Sequence, residues 1–166
     1  MHDAFKELVS DRSQRGLIIT ISSEALVLKH TLLANGTFDA DLMQLDDLLT
    51  PIEPAYIILR RYEGSAKPPF IAITYVPDAA NIRQKMLFAS TRNTLLRELG
   101  TDRFGESIFA TLKEELTAKG FERHDAHGAK YSSRNFLPKK DYIDLLYAQT
   151  SPTNRRRTLT QGSPRP

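Results

Sequence analysis

The chain has 166 residues, which is enough for one globular domain, with or without a tail. It contains no cysteine, and this excludes a disulfide framework, a thiolate metal site and cysteine catalysis. The net charge of +3 is unevenly distributed: residues 1–126 carry fifteen Lys and Arg against eighteen Asp and Glu, whereas residues 127–166 carry eight against two. A folded domain that binds nucleic acid should carry its basic residues on the folded part. The excess of basic residues lies instead at the end of the chain, which disfavours that class of protein.

The first half of the chain alternates between helical and strand patterns. In chain order we predict a helix at 3–11, strands at 17–21 and 25–30, a helix at 38–49, and strands at 55–60 and 70–76. The first helix should bury Phe5, Leu8 and Val9. The turn at 22–24 is short enough to make the first two strands an antiparallel hairpin.

In the second half of the chain, the sequence pattern predicts one long helix followed by shorter elements. Asp78 is the predicted N-cap of a helix that runs to Leu99 and is closed by Gly100. Residues 106–112 fit a short strand or the start of a helix, and residues 113–123 read as a helix whose end Gly120 weakens. We therefore predict an α/β (α+β) domain with a mixed sheet and helices on both faces.

Residues 127–166 lack this periodicity, and we predict a basic, mostly disordered tail that follows a domain at 1–126. Within the tail, residues 141–148 could form a short helix or docking segment. The chain begins without the apolar run of a signal peptide, and no stretch reaches the ~20 apolar residues of a membrane span. We therefore expect a cytoplasmic protein that does not span a membrane.

The long helix carries two apolar stripes. At about 100° per residue, one arc is predicted to face the core and an opposite arc is also partly apolar. The core arc contains Leu87, Phe88, Thr91, Leu95 and Leu99, and the opposite arc contains Ile82, Met86, Ala89, Asn93 and Leu96. Four cations, Arg83, Lys85, Arg92 and Arg97, flank the opposite arc. An apolar centre with a basic rim suits docking into an acidic protein partner, although a helix buried on both faces would give the same pattern.

Three segments resemble the actin-depolymerising factor homology domain. They are Tyr56–Arg60, Phe70–Asp78 and especially Ile82–Arg92, where an Arg-Gln-Lys-Met block precedes an aromatic residue, a small pair and a basic residue. Within that family the chain is most similar to the first domain of twinfilins, particularly fungal ones. The resemblance covers roughly residues 3–126 and implies a cofilin-like central mixed sheet of about five strands.

The resemblance also implies which residues bind. Arg83 and Lys85 match the basic pair that contacts actin in the family, and Met86 matches the apolar contact beside them, with Ile82 and Arg92 completing the expected site. Arg60 and Arg61 match the position of a second, filament-side site in members that bind filaments.

The function implied is binding of actin monomers, with a preference for ADP-actin, which sequesters monomers and regulates filament assembly and turnover. An alternative within the family is cofilin-like filament binding and severing. An alternative of another class is a tail-driven binder of acidic lipid or nucleic acid through Arg155–Arg157. Actin monomers, and also filament ends, are the expected partners, with phosphoinositides a further candidate through basic residues; we expect no nucleic-acid partner and a monomeric protein.

We expect no enzymatic activity, no cofactor and no metal. His124, Asp125 and His127 could suggest a metal-dependent site, but two His and one carboxylate without a further placed ligand are weak support, and a solvated helix end is the better interpretation. The remaining carboxylates show no spacing suited to acid–base catalysis, and the glycines form no phosphate-binding loop.

Overall fold

Residues 1–62, 64 and 66–128 are described by the computed structural model, and their elements follow the predicted order. The elements are α1 (His2–Ser10), β1 (Gln14–Ser22), β2 (Ala25–Leu33), α2 (Phe38–Leu48), β3 (Ala55–Arg60), β4 (Phe70–Tyr75), α3 (Ile82–Leu99), β5 (Phe104–Ala110) and α4 (Ala118–Gly128). Short 3-10 turns at Thr101–Arg103 and Lys113–Leu116 flank β5. The predicted disordered tail, including the segment 141–148, lies outside the described residues from residue 129 onward.

The five strands form one mixed sheet in the order β2-β1-β3-β4-β5, which confirms the predicted architecture. All neighbouring pairs are antiparallel except β4 and β5, which are parallel and are connected through α3. The predicted hairpin is present between β1 and β2. Its two-residue loop, Ser23 and Glu24, has positive φ at both positions, the backbone that matches the twist of the paired strands.

Each face of the sheet carries its own hydrophobic core. On one face α1 and α3 cover residues that include Leu17, Tyr56, Ile58 and Phe70. On the other face α2 and α4 cover the alternate residues of the same strands, including Ile18, Ile57, Leu59 and Ile73. Every residue of β3 and β4 is buried, as expected for central strands that are covered on both sides.

Several element boundaries differ from the prediction. Val9 is exposed, so α1 buries only Phe5 and Leu8. Residues 106–112, which fitted either a strand or a helix, belong mainly to β5, because they pair in register with β4. The predicted helix at 113–123 is a 3-10 turn followed by α4, which begins at Ala118. None of the helices in the described part of the chain is long and apolar enough to cross a membrane.

Candidate functional site: the outer face of the long helix

The helix α3 is fixed at both ends and in the middle. Asn81, and not the predicted Asp78, is its N-cap, and the Asn81 side chain accepts a hydrogen bond from the Arg83 amide at 2.9 Å. Gly100 ends the helix with φ of 90°, a conformation that favours glycine. In the middle, the hydroxyl of Tyr56 on β3 donates to the carbonyl of Phe88 at 2.5 Å, and the two rings lie 4.8 Å apart. These contacts determine which side of α3 meets the sheet.

The buried side of α3 consists of Phe88, Leu95, Leu96 and Leu99. Two residues are therefore on the opposite side from the prediction. Leu87 was predicted in the core but is 36% exposed, and Leu96 was predicted on the free face but is buried. The reason is geometric: Phe88, Leu95 and Leu99 lie within about 40° of one another around the helix, whereas Leu87 lies about 100° from Phe88.

The exposed side of α3 combines apolar and basic side chains. Ile82 is 63% exposed and Met86 is 51% exposed, and with Leu87 they form an apolar surface. Arg83 and Arg97 are also exposed on this side. We call these five residues the outer face of α3. The interface hypothesis requires such a face to be exposed, and among the residues that the structure describes Ile82, Arg83 and Met86 meet that requirement.

Two other predicted contact residues are less accessible. The Lys85 side chain is only 17% exposed, and its ammonium donates to the backbone carbonyl of Asp78 at 2.8 Å. Arg92 is partly buried beside β5, where its guanidinium donates to the Ser107 hydroxyl. Burial lowers the pKa of Arg92. The structure therefore brings the predicted residues onto one helix but presents only three of the five openly.

The predicted filament-side pair is engaged within the fold. Arg60 is 6% exposed and its guanidinium donates to the carbonyls of Leu8 and Asp11, at the end of α1. Arg60 therefore uses its charge within the fold, where it serves carbonyls that a helix leaves unpaired, and its assignment to a filament-side site stays a prediction.

Arg61 is the centre of a second network. Its guanidinium pairs with Asp125 of α4 at 2.5 Å and approaches Glu106 of β5 at 3.7 Å, and it also lies over the rings of Phe38 and Phe121. Only 15% of the Arg61 side chain is exposed. Its contacts join α2, β5 and α4 within the domain.

The same network contains the histidine considered for a metal site. His124 Nδ1 lies 3.2 Å from Glu106 Oε1, and possible ligand atoms of Glu106, His124 and Asp125 lie within 4.8 Å of one another. Because Arg61 pairs with both carboxylates, their charge is already balanced by a guanidinium. We therefore interpret the group as an ion-pair network; the side chain of His127 is not among those described.

A shallow cavity of about 310 Å³ lies at the start of α3, a feature that the sequence did not reveal. It is lined by the Pro77–Ala79 turn on one side and by Thr111–Glu114 on the other. Leu112 is exposed at this cavity. An isolated leucine after a strand carries no signal in the sequence, because only the tertiary fold places it at a cavity with the turn that precedes α3.

Comparison with known proteins gives a consistent result. A family model described as cofilin/tropomyosin-type actin-binding protein matches residues 1–126. The twinfilin of Schizosaccharomyces pombe is 31% identical over 162 residues, which are 95% of this chain and 48% of that protein. The twinfilin of Aedes aegypti is 36% identical over 119 residues, which are 69% of this chain and 34% of that protein. The chain thus spans between about a third and a half of the length of these relatives.

Solved structures agree in fold. Eh twinfilin superposes with a TM-score of 0.68 at 26% identity, over 76% of this chain and 96% of that chain. Streptomyces griseoflavus cofilin superposes with a TM-score of 0.59 at 19% identity, over 76% of this chain and 92% of that chain. The predicted cofilin-like fold is confirmed by these likenesses.

Proposed function

Because this chain belongs to the cofilin/tropomyosin-type family of actin-binding proteins, we propose that it binds actin monomers through the outer face of α3. The observation that carries the proposal is the exposure of Ile82 and Met86 beside Arg83 on a helix whose other side is anchored to the sheet. Binding a monomer in this way would sequester it and regulate filament assembly at the cytoplasmic actin cytoskeleton. We also propose the preference for ADP-actin that the family resemblance implies.

The proposed interface combines apolar contacts with charged contacts. Ile82, Met86 and Leu87 lose water on docking into an apolar cleft, at roughly 25 cal/mol for each Å² of apolar surface buried. Met86 also suits an irregular partner surface, because its thioether chain adapts its shape. Arg83 supplies a charge-assisted contact that fixes the register and speeds the encounter. Lys85 and Arg92 are the further basic residues of the proposed site.

The proposal is tested by the double variant Arg83→Ala, Lys85→Ala in a pyrene-actin assay with monomers. Truncating one partner of a buried charged contact costs about 2–5 kcal/mol, so we expect affinity to fall at least roughly thirtyfold. Helix α3 should remain folded, because its buried residues Phe88, Leu95, Leu96 and Leu99 are unchanged.

The matched control is Lys119→Ala, Arg123→Ala. This variant removes the same charge from exposed positions of α4, on the other side of the sheet, and should bind monomers as the unmodified protein does. Wild-type affinity in the Arg83→Ala, Lys85→Ala protein would mean that the site is wrong. Equal losses in both variants would mean that net charge, and not the outer face of α3, governs binding.

Filament binding is the alternative function, and co-sedimentation with filaments separates it from monomer binding. It has less support because the positions expected to form a filament-side site are used internally. Arg60 bonds to the end of α1, and Arg61 pairs with Asp125. A strong, saturable association with filaments would show that other residues of the domain serve this role.

A further inference from the structure

The loop between β2 and α2 contains the one Asn-Gly pair of the sequence, Asn35 followed by Gly36, and both residues are exposed. Within the part of the chain that the structure describes, a Cβ built at Gly36 would meet the Ala40 Cβ alone, at 3.8 Å. Because glycine has no Cβ, its backbone nitrogen is open to the side chain of the preceding residue. The pair therefore has the groups that form a succinimide.

The same two residues are hydrogen-bonded at both ends to a largely buried ion pair. The Asn35 amide donates to Asp41 Oδ1 at 3.0 Å, and the Gly36 carbonyl accepts from Arg15 Nη2 at 3.0 Å. Arg15 of β1 and Asp41 of α2 are themselves paired, with Nε 2.7 Å from Oδ2. Both bonds can form at once only while the backbone from Asn35 to Gly36 keeps its normal length.

We propose that Asn35 is a site of spontaneous deamidation, and that the main product, isoaspartate, loosens the attachment of α2 to the sheet. Solvent takes the proton of the Gly36 N–H, and the nitrogen attacks the side-chain carbonyl carbon of Asn35, Cγ. The N–Cγ bond forms, the Cγ–Nδ2 bond breaks, and the amide nitrogen leaves as ammonia with a proton from solvent. Water then opens the succinimide at the former backbone carbonyl to give isoaspartate, or at Cγ to give aspartate.

The hydrogen-bonded atoms lie outside the ring that closes. The ring consists of Cα, Cβ, Cγ and C of Asn35 and the nitrogen of Gly36, whereas the ion pair is bonded by the Asn35 N–H and the Gly36 carbonyl. The nitrogen and the carbon that react are thus held close together in the chain, as an intramolecular reaction requires.

Isoaspartate, in contrast, does not fit between the two bonds. Its main chain runs through Cβ and Cγ, which inserts one extra atom between the two bonded groups. It also leaves a new carboxylate on the residue that bonds to Asp41, where like charge is unfavourable. Hydrogen bonds weaken with changed distance and angle, so the two bonds cannot both keep their geometry.

The first test incubates the full chain, folded, at mildly alkaline pH and follows Asn35 by mass spectrometry. Trypsin releases residues 30–60 as one peptide, in which Asn35 is the single asparagine. Deamidation is identified by the loss of ammonia with the gain of water. Isoaspartate is identified by enzymatic methylation with an isoaspartate-specific methyltransferase.

The matched control is Gly36→Ala, which fits the loop because φ at Gly36 is not positive and the added Cβ makes an ordinary contact. The methyl group shields the nitrogen, so we expect Asn35 to be converted at least roughly tenfold more slowly in this variant. A second control, Asn35→Gln, keeps the amide but moves it one methylene away, and residue 35 should then remain intact.

The second test measures urea unfolding of the isoaspartate form after chromatographic separation. We expect its equilibrium constant for unfolding to be at least roughly tenfold larger than that of the unmodified protein, because bonds to a charged pair are disturbed. The variant Asn35→Asp adds the charge without lengthening the backbone at an exposed position, and should change this constant less than roughly threefold.

The inference is overturned if Asn35 is converted equally fast in the unmodified protein and in Gly36→Ala, or if it is converted in urea but remains intact in the folded chain. It is also overturned if the isoaspartate form unfolds as the unmodified protein does, or if Asn35→Asp is destabilised equally. Loss of actin binding is a separate result, because α2 and α3 cover opposite faces of the sheet.

Discussion

At the scale of single residues, Arg60 shows how a charge can serve the fold and not a partner. The last turn of α1 contains no basic residue of its own, and its terminal carbonyls need donors. Arg60 supplies them from β3, with its guanidinium also 5.5 Å from the centre of the Phe70 ring. A strand residue thus caps a helix that lies about fifty positions earlier in the chain, as a Lys or Arg near a helix end can do.

We predict that Arg60→Ala lowers the free energy of unfolding by about 2–3 kcal/mol, because hydrogen bonds from a charged donor contribute about 1.5–3 kcal/mol and the carbonyls of α1 lose that donor. Urea denaturation measures the loss. The control is Arg12→Ala, which removes an exposed cation just after α1 and should change stability by less than about 0.5 kcal/mol. Equal stability of the Arg60→Ala and unmodified proteins would contradict the capping role.

The same residue marks a limit of sequence analysis. Nothing near Arg60 in the chain indicates that it is buried, since its partners Leu8 and Asp11 are brought to it only by the packing of α1 on the sheet. Local signals, in contrast, predicted the elements well. The strand β3 is preceded by Pro54 and β4 is followed by Pro77, and such punctuation is local chemistry that a sequence reveals directly.

At the scale of elements, α4 is held to the sheet by the network around Glu106. His124 Nδ1 of α4 lies 3.2 Å from Glu106 Oε1, and this close approach raises the pKa of His124 and lowers that of Glu106. Arg61 and Asp125 also face this pair, and Tyr62 donates to Glu106 at 3.0 Å. Burial raises the pKa of Tyr62 to about 12, so its proton stays in place through the neutral range.

We predict that this contact makes stability depend on pH. Because the folded-state pKa of His124 is raised above 6.5, its contribution is complete below pH 6.5 and is lost as the pH rises through the raised value. Glu106, with a pKa lowered from 4.5, contributes fully above pH 4.5 and loses its contribution as the pH falls through the lowered value. Stability from this pair is therefore greatest between these two pH values.

Urea unfolding at about pH 5.5 and about pH 8.5 checks this prediction. Between pH 5.5 and pH 8.5, the free energy of unfolding of the unmodified protein should fall by up to about 1 kcal/mol more than that of His124→Gln. The effect is small because His124 is partly exposed to solvent. If the free energy of unfolding changed equally with pH in both proteins, His124 would not be the source of the pH dependence.

Gly120 in α4 illustrates why an element can be predicted while its packing cannot. In the sequence, Gly120 lies inside a predicted helix and indicates that this helix is weak, because glycine disfavours helical structure. In the structure a Cβ at this position would lie 2.3 Å from the carbonyl oxygen of Glu115. The glycine is therefore required by the close approach of the preceding 3-10 turn. That approach depends on how the chain packs in three dimensions. The burial of Leu96 and the exposure of Leu87 on α3 depend on it in the same way.

At the scale of the whole molecule, the net charge is unevenly distributed along the sequence. Residues 1–131 are one of two compact units of the chain. They carry sixteen Lys and Arg against eighteen Asp and Glu. The positive charge of the full chain therefore comes from the residues that follow. The proposed actin contacts Ile82, Arg83 and Met86 lie within this unit. We therefore propose that actin binding belongs to residues 1–131 and that attraction to acidic lipid belongs to residues 132–166.

We predict that a chain ending at Tyr131 binds actin monomers within about twofold of the full chain, because we expect short-range contacts on the outer face of α3, and not the charge of residues 132–166, to dominate affinity. The same truncation should abolish binding to vesicles that contain phosphoinositides at low salt, since clusters of Lys and Arg supply that attraction at about 1 kcal/mol per residue. Monomer titration and vesicle sedimentation measure the two activities. If the truncated chain lost actin binding, the assignment of function to α3 would be wrong, because removing residues 132–166 leaves every residue of that face in place. Loss of all binding would favour the tail-driven alternative.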